Sequence, residues 1–305
     1  MSELDASRGQ RRIAITGASG FIGSALGRFL TTDGHAVVRI GRGEGSDARW
    51  DPSRGQLDES ALDGVDAVVH LAGATIAKRW TPERKREIRE SRVQGTRLIA
   101  ERCARMSRPP EVLVSGSAIG IYGSRGDEWL DERSAGGDDF LAGVSREWEE
   151  ATAPAREAGI RVVLLRTGIV LHPAGGALAK MLLPFQLGAG GWLGNGRQWM
   201  SWISRTDLIG AIHHALRSAA IDGPMNATAP EPVTNRTFTA TLARVLRRPA
   251  LVPVPAFALR LLLGEMADGT VLASQRVRPA VLEGAGFRFQ HLSLASALRF
   301  ELGEP

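Results

Sequence analysis

The chain reads as an α/β protein: a Rossmann-type, doubly wound parallel sheet with a smaller, mostly helical C-terminal part. Three observations lead there. Short apolar runs alternate with helix-period segments as far as Leu171. A glycine-rich turn joins the first run to the first helix. After Leu171 the pattern gives way to Gly- and Pro-rich stretches between short helices. Alternation of this kind gives parallel strands with crossover helices, and continuous apolar strands fit burial on both faces. The expected division is 11–171 for the sheet domain and 172–305 for a mostly helical lid that can return elements to the first.

Arg12-Ile13-Ala14-Ile15 is the first strand, ending at Gly17. Ile22, Leu26, Phe29 and Leu30 recur at helical spacing until Asp33-Gly34 stops the helix. Strands follow at Ala36–Ile40 and Asp66–Leu71, the latter broken by Ala72-Gly73. A charged helix begins near Pro82, tolerated in a first turn, and runs to about Arg105. Glu111–Ser115 is a strand, 139–157 a helix and Arg161–Arg166 a strand. In the second half, helices are expected near 177–187, 208–219, 235–247 and 255–263. Ser204 and Asp207 stand at capping-box spacing before the second of these.

Bulk properties narrow the function classes. A length of 305 residues can bury a sizeable core, and 43% hydrophobic with 23% charged residues is ordinary for a globular protein. The net charge of +5 comes from arginines scattered among acids, with no basic run interleaved with aromatics. That pattern argues against nucleic-acid binding. The lone Cys103 excludes an intramolecular disulfide and a cysteine metal cluster. His213 and His214 are adjacent and point to different faces of their helix, so no metal site is expected. Residues 1–10 lack the apolar core of a signal peptide, and Phe257–Leu263 is too short to span a bilayer. The expectation is a cytoplasmic protein, a monomer or homodimer, whose partner is a small molecule and not a membrane.

The run Thr16-Gly17-Ala18-Ser19-Gly20-Phe21-Ile22-Gly23 carries the first chemistry. Glycines at this spacing between strand and helix permit a tight turn, close approach of backbone to a pyrophosphate, and close helix–strand packing. The helix N-terminus supplies N–H donors and the positive end of a dipole. The end of the second strand selects the nucleotide. An acid there accepts from a ribose 2′-hydroxyl, whereas an arginine suits a 2′-phosphate. Ile40-Gly41-Arg42, with no acid before Glu44, favours NADP(H) over NAD(H).

The glycine loop, Leu71-Ala72-Gly73, and Ser117 with Tyr122-Gly123 together resemble the extended short-chain dehydrogenase/reductases. Further stretches resemble the atypical YfcH-like subgroup, whose members are described as epimerase-family proteins. They are Arg79-Trp80-Thr81, Ser91-Arg92-Val93, Phe140-Leu141-Ala142, Trp148-Glu149, Arg166–Leu171, Ser201-Trp202-Ile203, Pro253-Val254-Pro255 and Gly286-Phe287. The resemblance covers almost the whole chain. It implies an NADP(H)-binding fold in which Leu71, Ala72, Gly73, Ser115, Thr167 and Gly168 join the glycine loop around the cofactor.

The resemblance also exposes a vacancy. The broader family uses a Tyr-x-x-x-Lys pair; here the corresponding positions are Leu141 and Ser145. Leucine cannot transfer a proton, and serine brings no positive charge. The only tyrosine, Tyr122, is followed four residues on by Gly126, and the lysines are Lys78, Lys85 and Lys180. Candidates for the missing chemistry are Ser117, Tyr122 and Lys85. Each has a second reading: a turn cap for Ser117, amphipathic filler for Tyr122, one more solvated charge for Lys85. Lys85 and Arg92 are seven apart and share a helix face with Ile99, which makes Arg92 a candidate for a substrate phosphate or carboxylate. Gln198 and Trp202 lie in a tryptophan-rich region that related enzymes use for a nucleotide base or sugar. His70 reads as a strand-end packing residue, and His172 is an outside candidate for proton transfer. Two functions fit: an NADP(H)-dependent oxidoreductase or epimerase-like enzyme on a small polar, free or nucleotide-linked substrate, or a non-catalytic NADP(H)-binding regulator or redox sensor.

Overall fold

In the computed structural model, which describes residues 9–304, the apolar runs pair into one central sheet flanked by helices. The polar residues 1–8 lie outside the described residues. β1 (Arg12–Thr16), α1 (Gly23–Thr32), β2 (Ala36–Gly41), β3 (Ala48–Asp51), β4 (Gln56–Leu57) and β5 (Ala67–His70) come first. α2 (Pro82–Arg105), β6 (Val112–Ala118), β7 (Trp129–Leu130), α3 (Phe140–Glu150), α4 (Ala153–Glu157) and β8 (Arg161–Thr167) follow. The second half contains β9 (Ile169–Leu171), α5 (Gly176–Gln186), β10 (Trp199–Met200), β11 (Trp202–Ser204), α6 (Arg205–Arg217) and β12 (Gly223–Ala227). It closes with β13 (Val233–Thr234), α7 (Asn235–Leu246), α8 (Ala256–Leu263), β14 (Arg276–Val277), α9 (Ala280–Gly284) and α10 (Leu294–Leu302).

The sheet order is β12-β8-β6-β5-β1-β2-β3-β4, parallel except for the β3–β4 pair. From β1 the chain moves outward through β2 and β3, then crosses back to β5 on the other side of β1. The carboxyl ends of β1 and β5 therefore form the switch point, the crevice where such sheets bind ligands. Each sheet face has its own core. Leu26 and Leu30 of α1 and Leu208 and Ile212 of α6 cover one face, and Ile99 and Cys103 of α2 cover the other. A third core, with Phe185, Trp202, Phe238 and Leu298, belongs to the lid.

Local signals account for the helix boundaries. Thr81 accepts from the Arg84 N–H at the start of α2, with Pro82 at the first position. Asp139 accepts from the Ala142 N–H at the start of α3. The 139–157 helix is in fact two, broken at Ala151-Thr152 ahead of Pro154. Ser204 caps α6, so this helix starts at Arg205, three residues before the position expected from its apolar pattern.

Three strands of the sheet, β3, the two-residue β4 and β12, have no clear sequence signal. β3 is four residues long, and Trp50 anchors it by packing on the His70 ring at 5.4 Å. β12 reads Gly223-Pro224-Met225-Asn226-Ala227, yet it pairs in parallel with β8 along its whole length. An edge position tolerates the proline. The lid half thus returns α6 and β12 to the sheet. Expressed alone, residues 1–171 lack the strand and helix that cover β8. That fragment is expected to show no cooperative denaturant transition by circular dichroism, whereas the full chain shows one; a folded fragment would contradict this division of the core.

Candidate nucleotide and substrate site

The turn after β1 is shaped by close backbone approach. Gly17 has φ of +69°, and a Cβ there would lie 3.0 Å from the Ala72 nitrogen. A Cβ on Gly23 would lie 2.9 Å from the Ala18 Cα and clash with the Gly17 carbonyl. The turn thereby seats β1, α1 and the Leu71–Gly73 segment against one another. Thr16 closes the floor: its hydroxyl accepts from the Leu71 and Ala72 N–H groups and bonds His70 Nδ1 at 2.7 Å. His70 is fully enclosed, and burial pushes its pKa down to about 3, so it is a neutral packing residue.

The N-terminus of α1 has no side-chain cap and no acid in its first turn. α2, α3, α6, α7 and α10 are capped by side chains, whereas α4, α5, α8 and α9 share the uncapped start, so what sets α1 apart is the glycine cradle in front of it. An uncapped helix start behind a glycine cradle leaves N–H donors for an anion, and it fits the pyrophosphate of a dinucleotide. Phe21 turns out of the cradle towards the lid. Its ring lies 2.6 Å from where a Gly175 Cβ would stand, 5.8 Å from the His172 ring and 5.7 Å from the Arg205 guanidinium. His172 Nδ1 accepts from the Ala174 N–H, which shapes this turn, and burial with Arg205 nearby lowers its pKa. Arg42 is exposed just past β2.

The serine and tyrosine candidates meet in one buried network. Ser117 Oγ donates to Glu149 Oε1 at 2.6 Å. Arg166 grips the same carboxylate with two bonds of 2.8 Å, from Nε and Nη2. Its Nη1 donates to the Tyr122 hydroxyl at 3.0 Å, and that hydroxyl donates to Asn226 Oδ1 at 2.8 Å. Burial pulls the Arg166 pKa down, but the bonds to Glu149 outweigh it and the net shift is upward. Burial pushes the Tyr122 phenol up to about 12, against the pull of Arg166. The vacant position, Leu141, faces Gly120, whereas Glu149 engages Ser117 two helical turns further along α3. Ser117 is therefore below the level at which the family tyrosine would stand.

Other expectations are corrected by where the side chains point. Trp202 has no exposed surface; its indole N–H donates to the Glu231 carbonyl inside the lid core, so it has no face for a ligand. Gln198 is buried and donates to the Leu193 and Val271 carbonyls, tying lid loops together. Trp199 and Trp129 sandwich Arg276, each at 4.0 Å. Lys85 is ion-paired with Glu265 and lies 4.9 Å from the Phe140 ring, linking α2 to the lid. Arg92 does face the crevice region, with its guanidinium 3.5 Å from where a Gly73 Cβ would stand. Thr167 ends β8, and Gly168, which follows it, is closely covered by Ser201 and Thr228. Ser115 is fully buried within β6.

At the opposite end of the sheet, Asp33 Oδ2 lies 3.1 Å from His213 Nε2 and 3.4 Å from His35 Nε2. His35 Nδ1 accepts from the Arg11 N–H, so in the neutral ring Nε2 carries the proton and is not a metal ligand.

Comparison with known proteins now fits the geometry. The model of the NAD dependent epimerase/dehydratase family matches residues 13–227. The chain belongs to that family. Within it, the chain is an atypical extended short-chain dehydrogenase/reductase. A domain of unknown function, DUF1731, matches residues 254–301. Epimerase family protein Mb2239 of Mycobacterium bovis is 42% identical over 297 residues, covering 96% of this chain and 98% of that protein. Epimerase family protein YfhF of Bacillus subtilis is 39% identical, covering 94% and 96%. The crystal structure of human epimerase family protein SDR39U1 with NADPH superposes with a TM-score of 0.88 at 32% identity, covering 96% and 99%. A UDP-glucose 4-epimerase from Thermus thermophilus, at 19% identity and a TM-score of 0.75, shares the fold.

Sequence reasoning missed Glu149 and Arg166 as a pair, although both stand in stretches that carry the family resemblance. It also missed Glu132. Glu132 Oε1 accepts from the Asn226 and Val281 N–H groups, while Oε2 is buried with no hydrogen-bond partner among the described residues. Burial raises its pKa despite those bonds. The folded state thus holds the Glu132 proton more tightly than the unfolded chain, and ionisation favours unfolding. Relative to Glu132→Gln, the native protein is expected to lose stability as pH rises through the unfolded carboxyl value of about 4.3 towards neutrality. Urea midpoints of the two proteins measured from pH 4 to 7 check this; a constant difference would contradict it.

Proposed function

We propose that this family member is an NADP(H)-dependent oxidoreductase or epimerase-like enzyme acting on a small polar substrate, free or nucleotide-linked, at the carboxyl edge of the sheet. The observation that carries the reading is the uncapped start of α1 behind the Gly17–Gly23 cradle, at the switch point between β1 and β5. The structure of the human relative with NADPH supports it. Gly17, Ser19, Gly20, Phe21, Ile22 and Gly23 would hold the pyrophosphate through backbone N–H groups. Leu71, Ala72 and Gly73 would line the ribose side, and Arg42 would take the 2′-phosphate of NADP(H). When bound, the cofactor supplies or accepts a hydride at its nicotinamide ring.

Within this reading, the protein's contribution is positioning and electrostatics. Ser117 and Tyr122 hold the ends of β6 and β8 in place through Glu149 and Arg166 and move no proton, so the proton that balances the hydride would come from or go to solvent or the substrate's own groups. The lid half closes the crevice through the Phe21–Gly175 contact and the Lys180 bond to the Ala77 carbonyl. A second reading, an NADP(H)-binding regulator or redox sensor, rests on one observation: both family hydroxyls are committed to a buried network.

NADPH fluorescence separates the readings and tests the nucleotide preference. Native protein is expected to bind NADPH more tightly than NADH, and Arg42→Asp to weaken NADPH by about tenfold or more, at least the worth of one charge-assisted contact, while leaving NADH undiminished or tightened, since the new acid can accept from the ribose 2′-hydroxyl. Oxidation of bound NADPH by any member of a carbonyl panel supports the enzyme. Tight binding without turnover across the panel supports the regulator. Equal affinities, unaltered by Arg42→Asp, would contradict NADP(H) selection at this residue.

A further inference from the structure

A guanidinium taken out of bulk water normally carries an anion with it, because burying an unpaired charge is costly. Arg166 obeys this rule through Glu149. Arg92 does not. It emerges partly exposed from the otherwise inward face of α2, below Ile88 and above the buried Gly95 and Thr96. Its Nη1 donates to two neutral acceptors, the Ala74 carbonyl at 3.0 Å and the Ile88 carbonyl at 3.1 Å. Its plane stands over the Trp148 ring at 4.9 Å, and Trp148 in turn lies against Gly116 of β6. Among the described residues no carboxylate pairs with it, and Nε and Nη2 have no acceptor. Two carbonyls and an aromatic face fix the fork in place with those donors unused.

The location is as informative as the missing partner. A Cβ on Gly17 of the cradle would lie 3.0 Å from the Ala72 nitrogen, and one on the next residue, Gly73, would lie 3.5 Å from the Arg92 guanidinium carbon. The neighbouring cation, Arg84, is already held by Glu87 and the Thr75 carbonyl, and Lys85 by Glu265. Helix α3, which carries a lysine in the broader family, presents the buried Ser145 at that position. A fixed planar fork with open N–H groups matches the two oxygens of a carboxylate or phosphoryl group.

We propose that Arg92 is the anion receptor of the substrate site: it binds a carboxylate or phosphoryl group of the substrate beside the dinucleotide cradle, and so selects anionic substrates. The proposal rests on the nucleotide site described above and names the substrate class for it.

The test uses the full chain saturated with NADPH, titrated separately with oxalate and with inorganic phosphate, with the fluorescence of the bound nicotinamide as readout. Native protein is expected to respond saturably to at least one anion. A response to oxalate assigns a carboxylate, and a response to phosphate assigns a phosphoryl group. Arg92→Gln is expected to weaken that response by about tenfold or more, and Arg92→Lys to recover part of it, since a point charge lacks the fork. NADPH affinity in both variants and anion affinity in Arg84→Gln are expected to stay within about threefold of native, below the worth of one charge-assisted bond. Undiminished anion binding by Arg92→Gln, or native protein that binds NADPH but neither anion, would overturn the proposal. If native protein binds no NADPH, the nucleotide reading fails separately. The anions are then titrated against the free protein by following the Arg92 Nε–H resonance, assigned by its loss in Arg92→Lys. A saturable shift keeps the receptor and none removes it. The same resonance decides the matter if Arg92→Gln fails to fold.

Discussion

The two-pronged bond between Arg166 and Glu149 fixes the arrangement of β6, β8, β12 and α3 around the carboxyl edge of the sheet. Arg166 comes from β8 and Glu149 from the last turn of α3, so the pair locks that helix to the sheet. Both charges are largely withdrawn from water, which makes each dependent on the other: an unpaired partner would be left at a cost of several kcal/mol. Around the pair, Ser117 brings in β6, Tyr122 the turn after it, and Asn226 the edge strand β12. Four segments far apart in sequence thus share one buried polar network, in which every bond strengthens its neighbours.

In the proposed reading, that network gives the two hydroxyls that look catalytic a structural role. A general acid has to reach the reacting atoms and to release its proton near working pH. Tyr122 is enclosed, and burial holds its proton more firmly than water does. Ser117 offers its proton to Glu149 and sits below the level of Leu141. The nucleotide cradle is independent of all this: it is built from backbone at the ends of β1 and β5 and is coupled to the lid through Phe21.

The parts of the fold that follow local rules were legible from the residues alone. Ile13 and Ile15 before the glycines announced β1, Pro82 announced α2, and the Gly17–Gly23 spacing announced the cradle. What stayed hidden depends on distant partners. β12 has no strand-like residues of its own and exists because β8 offers an open edge. Whether Trp202 faces a ligand or the lid core depends on how Gly-rich loops fold back, which periodicity does not encode. Ser117 was expected just past the end of its strand, whereas β6 runs on to Ala118, and its partner is set by the depth at which α3 crosses the sheet. Arg92 and Lys85 share a helix face as their spacing required, and the difference between them, a salt bridge to Glu265 for one and none for the other, arises from the lid.

Tyr122 is the only tyrosine in the chain, so its phenol can be titrated alone through the absorbance change of tyrosinate near 295 nm. A structural Tyr122 in the Arg166–Glu149 network is expected to stay protonated well past the ordinary value of about 10 and to ionise near 12, or only as the protein unfolds. Ionisation below pH 9 in the folded, NADPH-loaded protein would show an activated phenol. It would contradict the account that the family's proton-transfer machinery has been replaced here.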